Sequence, residues 1–379
     1  MKKIILAPDS FKGTMSSLEI CRIMQEEIRK VYPACQIYSI PVADGGEGTV
    51  DSFLHAVSGK KIEITVKGPH FEDIRSFYGL IDGGKTAVIE MAAAAGLPLA
   101  GDNSKPMSTT TYGVGKLVKD AVEKGANKII TGIGGSCTND GGCGMAAALG
   151  VDFFDYSGEK FIPTGGTLNK IKNVDVSGAQ KFLENVRLIT MCDVNNPLYG
   201  KNGAAYVFGP QKGADPDEVQ ILDSNLQYYG NLIEQIPGKK DVSNYPGAGA
   251  AGGLGAGMYA LLNAELLPGI NVILDVVHFD ELLENCDLVF TGEGRIDGQS
   301  LHGKVISGIA HRAKLKKVPV CVVVGDSRDD EIAPAYEQGV SAVFSINRRS
   351  LPFSEAKLLT DKNLRYTMKN ILGLISLKN

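Results

Sequence analysis

Short, wholly apolar strands recur in the last third of this chain and constrain its fold more than any other feature. They lie at residues 287–291 (DLVFT), 318–324 (VPVCVVV) and 341–346 (SAVFSI). A strand that is apolar on both faces is buried on both faces, which is typical of a parallel sheet covered by helices. Helical patterns alternate with these strands, at residues 303–316, 328–338 and 355–372. The C-terminal third therefore predicts an α/β domain.

The N-terminal sixty residues follow the same alternation. An apolar strand, KKIILA, precedes a helix that opens at Ser16, and residues 36–42 form the next strand. Ser16 and Glu19 have the spacing of a capping box, and apolar residues then recur at helical spacing up to Pro33. Together the two ends supply five strands for one doubly wound parallel sheet, of the flavodoxin-like or Rossmann-like class.

The middle of the chain changes pattern. Antiparallel strands are indicated at residues 61–67, 73–82 and 85–91. Glycine-rich loops and helices follow, including a glycine-alanine run, 246–257, that is too rich in small residues for an ordinary core helix. A chain of 379 residues fits two domains. We predict a discontinuous α/β domain, residues 1–60 with 271–379, and a second, inserted α/β domain, residues 61–270. Two consecutive domains divided near Gly178 are the alternative.

Charge and cysteine content exclude several classes of protein. The net charge is −4 and no long Lys/Arg block occurs, so neither nucleic acid nor membrane is expected as a partner. No apolar run reaches the roughly 20 residues of a membrane span, and no signal peptide is indicated. Seven scattered cysteines without a CxxC pair predict reduced thiols in the cytoplasm and no zinc site. We expect small-molecule substrates as partners, and the sequence leaves open whether the protein forms a homodimer.

Five polar, glycine-rich loops lie at predicted strand ends or domain junctions, where open α/β folds bind ligands. The first, PDSFKGT, places the carboxylate of Asp9, the hydroxyl of Ser10 and the cation of Lys12 after the first strand. The second, PVADGGEGT, has two carboxylates three residues apart, Asp44 and Glu47, whose hard oxygens suit Mg²⁺. A turn capped by Asp9 and Ser10 is the competing interpretation of the first loop, and a tight turn with Glu47 in the first turn of a helix is that of the second.

The third loop follows the strand at 128–131 and precedes a helix at 143–149. Six glycines occur among the thirteen residues 132–144, which is hard to explain for a plain connector because glycine loses much conformational freedom on folding. Backbone N–H groups there could cradle a phosphate group. The candidate contacts to a phosphorylated cofactor are Gly134, Gly135, Ser136, Thr138, Asn139 and Asp140.

The fourth loop, CDVNNP, places Asp193 after an apolar strand at 186–191. Asp193 could act as a base toward a substrate hydroxyl, which phosphoryl transfer requires to be oriented rather than strongly activated. A simple Asx turn is the alternative.

The fifth loop, residues 292–305, combines acids with cations. Its candidate residues are Glu293 and Asp297 for a metal, and Arg295 and Lys304 for the charge of a transferring phosphate. From Gly298 the loop matches GxxxxGK but continues with Val305, so the Ser or Thr of a true P-loop is missing. A surface loop whose charges pair with one another is the competing interpretation.

These five loops, in this order, resemble the glycerate kinase type 1 family. The resembling blocks are APDSFKGT, PVADGGEGT, GIGGSCTNDGGCGM, CDVNNPLYG with VFGPQKGA, and TGEGRIDGQ followed by GK. Three further blocks also resemble that family, namely MAAAAGLPL, TTTYGVGKLV and PGAGAAGGLGAGM. The resemblance spans nearly the whole chain. It implies ATP-dependent phosphorylation of D-glycerate, commonly at the 2-hydroxyl, and a flavodoxin-like domain that carries an inserted α/β domain.

Chemistry then assigns roles to the candidate residues. We expect all five loops to converge on one crevice between the domains, with the ATP phosphates against 134–140 and 293–304. We expect Asp9, Ser10, Lys12 and Asp44 to bind the substrate, with its hydroxyl group near Asp193 or Asp44. The catalytic residues are Asp193, Lys12 and Arg295. The Mg²⁺ ligands are Asp44, Glu293 and Asp297. A binding or sensor protein for an anionic metabolite and a nicotinamide-dependent oxidoreductase are the other classes, although no full GxGxxG follows any strand.

Overall fold

The computed structural model describes residues 1–43, 45–101, 104–296, 304–327 and 332–377. The strands in these ranges are β1 (Lys3–Pro8), β2 (Gln36–Ser39), β3 (Gly59–Lys67), β4 (Asp73–Ile81), β5 (Thr86–Glu90), β6 (Lys128–Gly132), β7 (Asp152–Phe154), β8 (Lys160–Phe161), β9 (Asn173–Asp175), β10 (Arg187–Met191), β11 (Glu265–Leu267), β12 (Leu288–Gly292), β13 (Arg295–Ile296), β14 (Val320–Val324), β15 (Asp326–Ser327) and β16 (Val340–Ser345).

The helices in the same ranges are α1 (Ser17–Val31), α2 (Thr49–Ala56), α3 (Ala92–Ala95), α4 (Leu97–Ala100), α5 (Tyr112–Glu123), α6 (Cys143–Ala148), α7 (Ser177–Phe182), α8 (Ala204–Phe208), α9 (Pro216–Ile233), α10 (Ala250–Leu261), α11 (Gly269–Val276), α12 (Phe279–Leu282), α13 (Val305–Leu315), α14 (Ala333–Gln338), α15 (Phe353–Ala356) and α16 (Thr360–Ser376). Strands and helices alternate along much of the chain, so the protein is a mixed α/β protein.

Two compact units divide the chain. Unit 1 comprises Met1–Ala43 with Ile270–Asn379, and unit 2 comprises Asp44–Gly269. Each unit is built on its own sheet. The predicted domain limits, 1–60 with 271–379 and 61–270, stay a prediction.

Unit 1 contains a parallel sheet of five strands in the order β16-β14-β12-β1-β2. These are the five strands that the two chain ends predict. Pro8 at the end of β1 is level with Gly292 at the end of β12, so the loops after these two strands leave the sheet side by side. Strands β12 and β14 are apolar because every residue of both strands is buried.

Helix α1 begins at the residue that the sequence predicts. The Ser16 hydroxyl accepts a hydrogen bond from the backbone N–H of Glu19 at 3.3 Å, and the Glu19 carboxylate accepts one from the Ser16 N–H at 2.9 Å. The capping box is thereby confirmed. The face of the helix that carries Ile20, Met24 and Ile28 is buried in the core of unit 1.

Unit 2 contains a mixed sheet of six strands in the order β11-β10-β6-β5-β4-β3. The antiparallel pairing predicted for its first three strands is confirmed, and β5 then pairs with β6 in parallel. Glu90, Gly132, Met191 and Leu267 lie at matching register positions. Four parallel strands therefore end at one level, and their following loops share one edge of the sheet.

The second half of the glycine-alanine run lies in a buried helix, α10, which is not an ordinary core helix. Its first turn is irregular, with positive φ at Ala251, Gly252 and Gly253. A Cβ atom on Gly252 would lie 2.0 Å from the Thr138 carbonyl oxygen, which no real Cβ tolerates. The small residues let this helix approach the backbone of the third loop closely.

The seven cysteines, all within the described ranges, are free thiols. In those same ranges, no helix combines the length and the apolar character that crossing a membrane would require.

Candidate active site

Three of the five predicted loops meet at the edge of the unit 2 sheet where its parallel strands end. Gly134 N–H, in the third loop, donates a hydrogen bond to the Gly45 carbonyl oxygen, in the second, at 3.0 Å. A Cβ atom on Gly45 would lie 3.4 Å from the Cβ of Met191, the last residue before the fourth loop. The segment that leads into α2 therefore packs against both the loop after β6 and the end of β10, where the fourth loop begins.

Backbone packs directly on backbone here, and this explains the glycines. A Cβ atom on Gly132 would lie 2.4 Å from the Gly45 carbonyl oxygen, and one on Gly134 would lie 2.8 Å from the Cα of Gly46. Gly45 also has a φ of +83°, which favours glycine. Any side chain at these positions would separate the two loops.

Asp140 lies in the interior of unit 2 and organises the third loop. One carboxylate oxygen accepts hydrogen bonds from the Thr111 N–H and hydroxyl, both at 2.8 Å, and from the Gly144 N–H at 3.2 Å. The other accepts one from the Gly142 N–H at 3.0 Å. Burial raises the pKa of Asp140, and these hydrogen bonds oppose that shift. The carboxylate joins the loop to the start of α5 and of α6.

Solvent reaches only the outer part of the third loop. Gly135 is exposed and Gly134 is partly exposed, whereas Ser136, Thr138 and Asn139 are buried. The predicted phosphate contacts thus fall into an accessible pair of glycines and an interior group. Their role as cofactor contacts stays a prediction.

Two interior residues of this edge escaped the sequence analysis. Glu90, the last residue of β5, is buried, and its carboxylate accepts a hydrogen bond from the Val50 N–H at 2.6 Å in the first turn of α2. Burial raises the pKa of Glu90. Lys212 is also buried, and its ammonium group donates a hydrogen bond to the Thr138 carbonyl oxygen at 2.6 Å. The only sequence signal for Lys212 is its place in the block VFGPQKGA.

Asp193 is exposed at the same edge. Its carboxylate oxygen Oδ1 accepts a hydrogen bond from the Gly269 N–H at 2.8 Å, at the first residue of α11. A carboxylate is favourable at a helix N-terminus because backbone N–H groups there lack partners within the helix. This contact orients the carboxylate while the residue stays open to solvent.

The remaining two loops meet at the edge of the unit 1 sheet. Asp9 N–H donates a hydrogen bond to the Gly292 carbonyl oxygen at 2.8 Å, and the Asp9 carboxylate accepts one from the Ser10 N–H at 2.6 Å. A Cβ atom on Gly294 would lie 3.4 Å from the backbone nitrogen of Lys12. Asp9 is only 8% exposed, whereas Lys12 is exposed. The first and fifth loops are therefore in contact.

Arg295 forms an ion pair with Asp326, which the sequence analysis did not single out. The Arg295 guanidinium donates to Asp326 Oδ2 at 2.7 and 3.1 Å, and the short strands β13 and β15 pair beside it. The two side chains are 52% and 49% exposed. Lys304 is the residue before α13, and its carbonyl oxygen accepts a hydrogen bond from the Ser307 hydroxyl at 3.0 Å.

The predicted metal ligands are only partly covered by the structure. Asp44 and Asp297 lie outside the described residues, and Glu293 is partly buried after β12. No group of three or more His, Cys, Asp or Glu residues close enough to hold a metal occurs in the part of the chain that the structure describes. Glu293 and Asp9 still place carboxylates after neighbouring strands, and Mg²⁺ bound to a nucleotide needs only one or two protein carboxylates. The donor chemistry therefore fits Mg²⁺.

Comparison with known proteins identifies the family. The sequence model described as the glycerate kinase family matches residues 4–376 of this chain. The chain belongs to the glycerate kinase family. It is 44% identical to the glycerate kinase of Bacillus cereus, over 98% of this chain and 97% of that protein. It is 42% identical to the glycerate 2-kinase of Escherichia coli, over 99% and 98% respectively.

A solved structure gives the same result. The crystal structure of a candidate glycerate kinase 2 from Salmonella typhimurium LT2 matches this chain with a TM-score of 0.86 at 39% identity, over 100% of this chain and 99% of that one. The prediction that the protein is an enzyme, a phosphotransferase that acts on an alcohol group, is confirmed. Membership of this family implies small-molecule substrates and ATP as the phosphate donor.

Proposed function

We propose that this protein transfers the γ-phosphoryl group of ATP to the 2-hydroxyl group of D-glycerate and is a type 1 member of its family. The observation that carries this proposal is the meeting of three predicted loops at one edge of the unit 2 sheet, in a chain of the glycerate kinase family. The choice of the 2-hydroxyl draws support from the glycerate 2-kinase of Escherichia coli, which shares 42% of its residues with this chain.

The glycine-rich loop of unit 2 is assigned to the phosphate groups of ATP. Gly134 and Gly135 are the part of this loop that solvent reaches, and they have no side chain to obstruct a phosphate oxygen. The buried residues Ser136, Thr138, Asn139 and Asp140 fix the course of the loop behind them. A loop held in one conformation binds phosphate without a further ordering cost.

Asp193 is assigned to the hydroxyl group that attacks. Its carboxylate is exposed, and the hydrogen bond from Gly269 N–H fixes its orientation. Phosphoryl transfer depends mainly on positioning and charge stabilisation, so a carboxylate that accepts the hydroxyl proton in the correct direction is sufficient.

The loops of unit 1 are assigned to the substrate carboxylate and to the charge of the phosphates. Lys12 and Ser10 bind the carboxylate of glycerate, and the Asp9 carboxylate holds Ser10 in place by accepting a hydrogen bond from the Ser10 N–H. Arg295 and Lys304 counter the negative charge of the transferring group. Mg²⁺, held by Asp44, Glu293 or Asp297, would neutralise further charge on the phosphate oxygens.

The fold supports an assignment to the flavodoxin-like class. Numbered within unit 1 alone, the strands stand in the order 2-1-3-4-5, and in folds of that order ligands bind where the order reverses, beside the first strand. The Asp9 and Glu293 loops leave the sheet at that point. We propose that the chain comprises this domain, residues 1–60 with 271–379, and an inserted α/β domain, residues 61–270. A cytoplasmic location and a homodimer stay predictions.

A coupled assay of ADP release, with and without D-glycerate, tests the proposed function. We expect release only when glycerate and Mg²⁺ are both present. Binding of glycerate without any release of ADP would instead indicate a sensor protein. A change of nicotinamide absorbance with glycerate would indicate an oxidoreductase.

A further inference from the structure

Lys212 is a buried cation that the proposed chemistry leaves without a role. It ends a short 3₁₀ turn, Pro210–Lys212, and its side chain is 1% exposed. Gly213 follows with a φ of +91°, and a Cβ atom there would lie 2.3 Å from the Ser104 carbonyl oxygen. The turn therefore packs closely against the backbone at Ser104. The ammonium group donates to the Thr138 carbonyl oxygen at 2.6 Å.

Among the described residues, the hydrogen bond that Lys212 donates goes to a carbonyl oxygen and not to a carboxylate. Asp140 and Cys137 are the titratable groups that act on it electrostatically, and the Asp140 carboxylate already accepts four hydrogen bonds from other groups. Burial lowers the pKa of Lys212 to about 8, so it is mainly charged at neutral pH. A buried charge whose direct hydrogen-bond partner is a neutral carbonyl group is costly to a fold, so the presence of Lys212 here requires an explanation.

The neighbouring side chains give a second, independent observation. Asn139 is fully buried, and neither its amide nitrogen nor its amide oxygen has a hydrogen-bond partner in the described structure. The Thr138 hydroxyl is also buried without a partner there. Buried polar groups are nearly always satisfied in the functional state of a protein. The interior side of the third loop therefore has hydrogen-bonding capacity that a ligand or a rearrangement of the loop would use.

We propose that Lys212 is a positioning residue for the triphosphate of ATP, because it holds the Thr138 carbonyl and supplies positive charge to the loop that presents Gly134 and Gly135. This inference rests on the proposed function. In the interior the charge of an ammonium group is screened less than in water, so it acts on an anion that it does not touch. The hydrogen bond to Thr138 fixes the loop that presents the accessible glycines. Loss of Lys212 should weaken ATP binding more than glycerate binding.

Substitution of a neutral side chain of similar length tests this inference. Lys212→Met is compared with Lys201→Met, which removes an exposed lysine of the same unit. Equilibrium dialysis with ATP should give a Kd at least about 10-fold higher for Lys212→Met and a change below about twofold for Lys201→Met. The KM for glycerate should stay within about twofold of wild type. An unchanged Kd for ATP in a folded Lys212→Met variant would overturn the inference.

The pH dependence separates a charge effect from a purely structural one. Between about pH 7.5 and 9.5, ATP affinity of the wild type should fall as Lys212 loses its proton near pH 8. Burial raises the pKa of Cys137 to about 12, so this thiol stays neutral in that range. Asp140 and the titration of ATP itself are common to both proteins. Lys212→Met should therefore bind weakly with a much flatter pH profile.

These measurements distinguish failure of the Lys212 inference from failure of the proposed function. If Lys212→Met does not fold, the pH series on the wild type tests the inference by itself. An ATP affinity that is constant between about pH 7.5 and 9.5 would then overturn it. If the wild type releases no ADP with glycerate, the proposed function fails. If the wild type is active and Lys212→Met binds ATP normally, only the role of Lys212 is wrong.

Discussion

The carboxyl edges of the two sheets present the same kind of loop but hold it in different ways. In unit 2 the loops touch backbone to backbone at Gly45 and Gly134, and buried polar groups brace them from inside. In unit 1 the loop at Arg295 is held by an ion pair that is about half exposed. The loops at the first edge are held rigidly, whereas the charged groups at the second edge are in contact with solvent.

This difference separates acids that shape the site from acids that solvent can reach. Asp140 and Glu90 are buried, and their carboxylates accept hydrogen bonds from backbone N–H groups. Asp193 lies at the same edge but is exposed. A carboxylate in a glycine-rich loop is therefore not evidence of catalysis by itself. Its exposure and its hydrogen-bond partners decide which kind of role it has.

Asp193 should give the largest effect. Asp193→Asn keeps a side-chain oxygen that can accept the Gly269 hydrogen bond but cannot accept a proton from the substrate. We expect kcat to fall about 1000-fold, the range of a lost general base, while the Tm stays close to wild type. Steady-state kinetics and a thermal melt check this. Near-normal turnover would remove Asp193 from the mechanism.

Arg295 tests whether the exposed edge acts in chemistry or only in structure. Arg295→Gln should lower kcat/KM for ATP about 100-fold, because a cation at a transferring phosphate stabilises the transition state. Asp326→Asn breaks the same ion pair but keeps the cation, so it should lower kcat/KM by less than about threefold. Stability should change by less than about 1 kcal/mol in both variants, as is usual for exposed ion pairs. Equal losses of activity would show that the ion pair, not the cation, matters.

Asp140 tests whether buried polar groups stabilise the loops at the edge of the unit 2 sheet. Asp140→Asn replaces one acceptor oxygen with an amide donor among groups that all donate, so at least one N–H or O–H group loses its partner. We expect the free energy of unfolding in urea to fall by about 2 kcal/mol. Asp217→Asn, at an exposed position, is the control and should change it by less than about 0.5 kcal/mol. A loss of activity at unchanged stability would instead indicate direct contact with a ligand.

The effect of Lys212 on stability should be visible as a difference between pH values. Its pKa is lowered to about 8 from the usual 10.5, so between these pH values the unfolded chain binds a proton that the folded protein has lost. This group therefore raises stability with increasing pH, by about 1 kcal/mol per pH unit. Buried cysteines with raised pKa, such as Cys321, act in the opposite direction above pH 9.

The stability of wild type minus that of Lys212→Met isolates the contribution of Lys212, because the cysteines are common to both proteins. This difference should rise between about pH 8 and 10 in urea unfolding. A constant difference would mean that the ammonium group is not buried as a cation.

The sequence predicted the parts of the fold that depend on local pattern. Apolar strands such as 320–324 and the capping box at Ser16 were recognisable because burial on both faces and a capped first turn leave a local signature. Helix α10 was missed because its small residues reflect contact with a distant backbone, at Thr138, which no local rule contains.

The candidate site was predictable to the level of loops but not of roles. Glycines marked where backbone approaches backbone, as at Gly132. Whether an acid in such a loop is buried or exposed depends on contacts far along the chain, as Thr111 shows for Asp140. Lys212 was missed for the same reason, since burial of a lysine is set by packing and not by its neighbours in sequence.

Proton-coupled phosphorus NMR of the reaction with ATP, Mg²⁺ and D-glycerate tests the central claim most directly. Carbon 2 of glycerate carries one hydrogen and carbon 3 carries two, so the coupling pattern of the product identifies the phosphorylated hydroxyl group. We predict that the γ-phosphate signal of ATP is replaced by one phosphomonoester doublet. A triplet would contradict transfer to the 2-hydroxyl, and the absence of any phosphomonoester would contradict the kinase activity itself.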